Sequence, residues 1–444
     1  MKLIKNIFVF ILSAAVLVAS LAVLTRLVQP KYDGGEFPLE GNFTSEYYDE
    51  TTDHDVLMVG DCEVYENFDP ITLWKEYGIT SYIRGNAQQL PWQSYYLLEE
   101  ALEKETPKVV IYNVQALTHS KPEREEYNRM TLDGMKWSKI KWDAVNASMS
   151  KGEKLIDYIF PLLRYHSRIT ELGEEDFTYF SSPRKVTCNG YYMRIDTLPA
   201  SEGGFDDTEW IEKLYPGQIT EKKGTDSKED DDKKTGDETD EDKSFGDIDD
   251  PWADIDMDSI EEEDGGDTET EDDAEAKDEK DESDDEDSEG FVDDDGITDE
   301  GEKFGELPMK YLEMMRTLCE SKGIKLILIK APSLSPRWYD SQEQQVAEYA
   351  KEHDLPYINF YKLIKETGID YETDTYDGGL HMNYSGATKL SKWLGKELKE
   401  KYGINDHRVD KKLAGVYKEK VEWQQKIIDA QKAELDLYGE IKNY

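Results

Sequence analysis

The chain has 444 residues, with 99 Asp plus Glu against 53 Lys plus Arg, for a formal net charge of −46. Residues 221–300 hold 41 acidic and eight basic side chains, so this stretch contributes −33 and the other 364 residues only −13. Such a balance excludes a nucleic-acid-binding role, which needs a basic face to replace phosphate counterions, and three cysteines exclude a disulfide-stapled scaffold or a Cys₄ zinc site.

Lys2 and Lys5 precede an apolar run from Ile7 to Leu24 that only Ser13 and Ser20 interrupt. Eighteen helical residues span about 27 Å, close to the hydrocarbon thickness of a bilayer. The basic residues ahead of the run keep that end in the cytoplasm and place the rest outside. Residues 1–28 are therefore expected to be a signal anchor on a single-pass protein of the cell membrane with an extracytoplasmic ectodomain. Ser20, Leu21 and Ala22 also offer a small-residue cleavage site, and cleavage there would make the ectodomain secreted. Residues 29–53, rich in Gly, Pro, Asp and Glu, read as a linker.

From Asp55 the pattern becomes regular. Asp55 to Gly60, Ser81 to Arg84 and Lys108 to Tyr112 read as buried strands, with helices over Ile71–Tyr77 and Trp92–Glu105 between them. Strands that are apolar throughout, rather than alternating, predict a parallel sheet covered on both faces. The alternation lapses over 118–220, read as an insertion or cap with a helical stretch over Ala144–Leu163. It is followed by an acidic tract at 221–302 with too little apolar surface to fold alone. The pattern resumes with a helix over Lys310–Lys322, a strand over Lys325–Lys330, a helix over Ser341–His353 and a strand over Pro356–Phe360. A helix over Ala387–Lys401 and a long charged helix over Lys411–Ile441 complete the chain. One α/β domain is thus divided in sequence into 54–117 and 303–402, and 403–444 is a C-terminal charged helix.

Polar residues stand at the carboxyl ends of the first three strands: Asp61 and Cys62, Gly85 and Asn86, and Asn113. That edge is where ligands bind in an open parallel sheet. A fourth polar set, Asp377 and His381, follows the last strand. The order nucleophile, Gly, Asn, then Asp and His resembles the SGNH/GDSL hydrolase family. Gly60, Asp61 and Cys62 stand where that family has Gly-Asp-Ser, Gly85 and Asn113 match its second- and third-block residues, and Asp377 and His381 match its last block. Within the family the anchored layout is similar to wall-modifying ectodomains of the lipoteichoic acid D-alanylation type. The sequence departs from the family pattern at three points: Cys replaces Ser, Asp377 and His381 have three residues between them instead of two, and Asn113 lacks a following Asp.

The resemblance implies a flavodoxin-like three-layer fold. It also implies hydrolysis or transfer of an acyl ester on a cell-envelope glycan or related substrate. Cys62 would attack, His381 would serve as base and acid, and Asp377 would orient it, with Asp374 in reserve. The backbone N–H groups of Cys62 and Gly85, with the side-chain amide of Asn113 or Asn86, would hold the oxyanion. No cofactor and no metal is expected. A second class of function is a catalytically inactive SGNH-fold partner for other proteins of an envelope-polymer pathway. Three further features have functional as well as ordinary readings. Arg164, His166 and Arg168 could bind an anionic polymer, Gln88 and Gln89 could face the cleft, and Trp74, Trp92, Trp338 or Tyr339 could stack on sugars. The acidic spacing at Asp254, Asp256 and Asp258 lacks the Gly and Glu of an EF-hand and permits only loose divalent-cation association.

Overall fold

The chain begins in α1 (Lys2–Val28), a helix apolar and long enough to cross a membrane, which protein leaves uncovered until its last turn. In this computed structural model the described residues are 2–30, 42–122, 124–181, 185–204, 208–219 and 303–442. The acidic tract expected at 221–302, with the Asp254–Asp258 spacing in it, lies outside them. Helix α2 (Asn42–Glu46) leads through a 3₁₀ turn to β1 (Val56–Gly60), α3 (Cys62–Tyr65), α4 (Pro70–Tyr77), β2 (Ser81–Gly85), α5 (Pro91–Lys104) and β3 (Val109–Asn113). Short helices α6 (Glu125–Leu132), α7 (Lys139–Ser148), α8 (Leu155–Ile159), α9 (Leu162–Tyr165), α10 (Glu174–Ser181), α11 (Ala200–Gly203) and α12 (Glu209–Leu214) follow. The regular pattern returns as α13 (Glu306–Ser321), β4 (Lys325–Lys330), α14 (Asp340–Glu352), β5 (Tyr357–Asn359), α15 (Ile364–Thr367), α16 (Tyr384–Tyr402) and α17 (Lys411–Tyr438).

The five strands form one sheet in the order β2-β1-β3-β4-β5, and every ladder is parallel. All residues of β1, β2 and β3 are buried, whichever way their side chains point, so both faces of the sheet are covered. Helices α5 and α13 pack on each other, as do α4 and α16. Local sequence explains where these helices start. Asp69 caps α4 by accepting the Ile71 N–H at 2.8 Å, and Pro70 takes a first-turn position that needs no N–H. Asn383 accepts from Ser385 and Gly386 and starts α16 three residues before the apolar periodicity does.

Three elements differ from the sequence reading. Residues 42–49, assigned above to a linker, are ordered and largely buried. Phe43 packs edge-on against Tyr65 at 4.8 Å, and the Glu46 carboxylate accepts from the Val186 and Thr187 N–H groups. The single helix expected over 144–163 is broken into α7, α8 and α9 at Gly152 and Pro161. Asn128 spans the first break by donating to the Ser148 carbonyl and the Glu153 carboxylate. The C-terminal helix is more than a charged appendage. Tyr417 of α17 stacks on Trp74 of α4 at 4.1 Å, Gln424 donates to the buried Asp69, and Gln431 exchanges hydrogen bonds with the backbone of Met193 and Ile195. These contacts recur along one side of the helix.

Tyr417 has no exposed surface. Tyr417→Ala is expected to destabilise the protein by about 3–4 kcal/mol through lost burial and the cavity left beside Trp74, read as a lower urea midpoint. An unchanged midpoint would show that α17 is not part of the cooperative unit.

Candidate active site

The turn after β1 can be made only by glycine at position 60. Its φ is +154°, and a Cβ there would lie 2.6 Å from a Val64 methyl and 3.3 Å from the Asn113 Cβ. This close approach lets the chain turn from the sheet directly into α3. Asp61 caps that helix by accepting the Glu63 N–H at 3.2 Å, and Cys62 is its first residue, packed against the core but not fully covered.

The second half of the site arrives from the far end of the sequence. Between Asp377 and His381, Gly378 and Gly379 take φ values of +76° and +112°. This left-handed path folds Asp377 back onto the imidazole, so the extra residue in the spacing is absorbed in the loop. The Asp377 carboxylate accepts the His381 backbone N–H at 2.8 Å and holds its Nδ1 at 2.6 Å. With Nδ1 engaged, Nε2 is the ring nitrogen left for Cys62, whose thiol lies close enough to feel the His381 charge. Cys62, His381 and Asp377, some 320 residues apart in sequence, thus form one connected set. Asp374, the reserve orienter, does not join it. Its carboxylate takes the Asp370 N–H, the Ser385 hydroxyl and the Lys389 ammonium instead.

A fourth member, Glu66, was not foreseen from sequence. It is buried, lies 3.5 Å from His381 Nδ1 and accepts the hydroxyl of Tyr376. The signal available was its position, one helical turn after Cys62 and so on the same side of α3. Burial opposes charge on His381, but Glu66, Cys62 and Asp377 outweigh it and raise the imidazole well above its ordinary pKa. Burial also raises Glu66, while the His381 charge works the other way. For Cys62 burial wins: the thiol is pushed up to about 11, although His381 pulls it down. The low thiol pKa expected at a helix start is not realised, because a four-residue helix cannot offset the loss of solvent. The ligand atoms of Glu66, Asp377 and His381 lie within 4.8 Å of one another, close enough to share a cation.

Searches of family models, of curated proteins and of solved structures find no match to this chain. What the site can do therefore rests on its own geometry.

The oxyanion residues need a correction. Asn113 does sit at the end of β3 beside Asp61, but its amide donates to Asp61 at 3.3 Å and Glu63 at 3.0 Å, and its carbonyl accepts from the Ala331 N–H. Asn86 donates to Thr44 and Gln89. Both amides are thus occupied by the protein itself. Gly85 remains beside the turn, where a Cβ would stand 3.1 Å from the Gly60 carbonyl and 3.3 Å from that of Asp61.

The partner of Asn113 explains its capture. Glu63 and Lys330 form a buried ion pair, with both carboxylate oxygens 3.0 and 2.9 Å from the ammonium, which also donates to the Ala331 carbonyl. Burial lowers Lys330 despite Glu63, and burial together with Glu63 raises Asp61 to about 6. Asp61, Asn113, Glu63 and Lys330 bind the carboxyl ends of β1, β3 and β4 into one polar network.

The remaining candidates are mostly structural. Arg164 pairs with Glu125, and Arg168 donates to the Val28 and Gln29 carbonyls and to Asp176. Gln89 is buried, donating to the Arg84 carbonyl and the Ser94 hydroxyl. Trp74, Trp92 and Trp338 are buried core residues, whereas Tyr339 lines a cavity of about 210 Å³ with Lys213, Arg337 and Asp340.

Two outcomes follow from these charges. Lys330→Met leaves Glu63 buried and uncompensated and should cost about 3–5 kcal/mol in denaturant unfolding, while adding Glu63→Gln should restore much of it. Equal loss in the single and double variants would mean that the pair carries no coupling. Cys62 alkylation by iodoacetamide should still accelerate above pH 9, because only the thiolate reacts. His381→Ala removes the cation that favours the thiolate and should move the profile to higher pH. A plateau near pH 8, mapped to Cys62 by mass spectrometry, would contradict the raised thiol.

Proposed function

We propose that this protein is a membrane-anchored, extracytoplasmic SGNH/GDSL-like acyl-ester hydrolase or acyltransferase acting on a cell-envelope glycan or related ester. The observation that carries the reading is the set Cys62, His381 and Asp377, with the imidazole held by Asp377 and its charge acting on the thiol, at the carboxyl edge of a parallel sheet. Its strand order is that of flavodoxin-like doubly wound folds, whose ligands bind where the order reverses, here between β1 and β3. That order favours the three-layer SGNH arrangement, and Lys2 and Lys5 ahead of the apolar run of α1 favour an outward-facing domain.

The chemistry follows from the protonation states. A neutral thiol beside an imidazolium carries one proton more than the thiolate–imidazolium pair that attacks an ester. Loss of that proton lets the Cys62 sulfur form a bond to the carbonyl carbon, and the imidazolium then delivers its Nε2 proton to the leaving alcohol. Water, or a second alcohol for transfer, releases the acyl group from sulfur with His381 as base. Asp377 keeps the ring in one orientation and stabilises its charge. With both asparagine amides committed elsewhere, the oxyanion falls to the backbone N–H groups of Cys62 and Gly85. The alternative, a catalytically inactive binding partner in an envelope-polymer pathway, is favoured by the raised thiol and by the capture of Asn113.

The decisive experiment is turnover of aryl and glycan esters by the full chain and its variants. Cys62→Ala and His381→Ala should each abolish turnover, and the double variant should be hardly worse than either, as for members of one catalytic unit. An acyl adduct trapped with a thiol-directed acyl probe should map to Cys62. Undiminished turnover in Cys62→Ala would eliminate the mechanism, and no wild-type turnover on any ester would select the binding reading.

A further inference from the structure

Five of the twelve large apolar side chains exposed outside α1 among the described residues fall within one segment of 22 residues. Among the described residues outside α1, Ile156, Phe160, Leu163, Ile169 and Phe177 are exposed by 44–56%. They lie on α8, α9, the 3₁₀ turn His166–Thr170 and α10, and none belongs to either hydrophobic core of the domain. The last three of these elements are the ones that pack against α1. The junction is polar and specific: Arg168 donates to the carbonyls of Val28 and Gln29, both at 3.0 Å, and also pairs with Asp176 of α10. Val28 itself is fully buried, although the rest of the apolar helix is bare.

These positions fix the depth of the cluster relative to a bilayer. The apolar run ends at Leu24, and four further residues raise the helix by about 6 Å before Val28 meets the domain. A headgroup layer is roughly 5–7 Å thick on each side of the hydrocarbon. Helices packed at Val28 therefore stand within that layer, where amphipathic helices bury their apolar faces about 5–10 Å deep. In water the same five side chains would stay exposed.

We infer that α8, α9, the His166–Thr170 turn and α10 form a membrane-seated collar around the exit of α1, with Phe160, Leu163, Ile169 and Phe177 inserted among lipid headgroups and upper acyl chains. The occupant is the lipid bilayer, and the inference rests on the anchored reading of α1 proposed above. The collar would hold the domain upright on the membrane instead of leaving it swinging on a tether. It also accounts for Arg168, whose guanidinium joins the helix end to the collar and so transmits the anchor's position to the domain.

The test places a photoreactive benzophenone side chain at Phe160, Leu163 or Phe177 of the full chain in phosphatidylcholine–phosphatidylglycerol nanodiscs, with adducts identified by mass spectrometry. Leu12, in the middle of α1, and Val409, exposed on a loop outside the collar, serve as references. Lipid adducts at all three collar sites, roughly tenfold above Val409 and comparable with Leu12, are expected for interfacial insertion. Adducts at Leu12 with none at the collar would overturn the inference and leave the anchor standing. No adduct at Leu12 would overturn the anchored reading itself, and protein adducts at the collar would replace the bilayer with a protein partner. Arg168→Ala, which leaves the apolar side chains in place, should lower the collar adducts several-fold without changing those at Leu12. Unchanged collar yields would show that Arg168 does not couple the two.

Discussion

The burial of every central strand on both faces is the constraint on which the rest depends. Val56–Gly60, Ser81–Gly85 and Val109–Asn113 are buried along their whole length. Because all ladders are parallel, the strands release their chains at one common edge, where polar side chains from several strands can gather. Asp61, Cys62, Gly85, Asn113 and Lys330 are the residues at which β1, β2, β3 and β4 end or turn. Their proximity follows from topology before any specific contact is considered.

What happens at that edge is a competition among buried charges. Two sets share the ground beneath Cys62: Glu63, Lys330, Asn113 and Asp61 on one side, and His381, Asp377, Glu66 and Tyr376 on the other. The first set satisfies itself, since the Lys330 ammonium neutralises Glu63 and the Asn113 amide bridges the two carboxylates. Its contribution is to lock three strand ends together, which removes Asn113 from any role toward a ligand. The second set has one cation and two carboxylates around it, and the thiol is the neighbour left to respond. Burial holds that thiol neutral beside the imidazolium, so the Cys62–His381 pair is poised but lacks its thiolate.

The domain is also tied together by chain that looked dispensable. Residues 42–49 lie against the core through Phe43 and Tyr47, and α17 returns to cover α4 through Tyr417 and Gln424. The cap segment contributes a small core of its own, in which Leu132, Met135, Val145 and Tyr158 gather on Leu97 of α5. Through α9 and α10 the same segment reaches the end of α1, so α1 and the sheet belong to one compact unit.

Much of this was written in local sequence. Apolar runs, the first two closed by glycine, predicted each of the five strands to within a residue or two at either end. Helical periodicity predicted α4, α5, α13, α14, α16 and α17, because burial of both sheet faces demands continuous runs and a covered helix demands a 3.6-residue repeat. The residues Cys62, Asp377 and His381 could be picked out by position at strand ends and by chemistry. Their union was implied only by the family resemblance, since an imidazole some 320 residues away is brought to the thiol by the path of the whole chain. The fate of Asn113 was equally invisible, because it depends on Lys330 arriving from β4 with an opposite charge. The order of residues 42–49 and the burial of Trp74, Trp92 and Trp338 likewise came from partners distant in sequence. Sequence determines where strands, helices and reactive side chains lie along the chain, because those depend on neighbours a few residues apart. Tertiary structure alone decides which of those side chains are spent on one another and which remain for chemistry, because hydrogen bonds and buried charges are shared among whichever groups the fold brings within 3 Å or so.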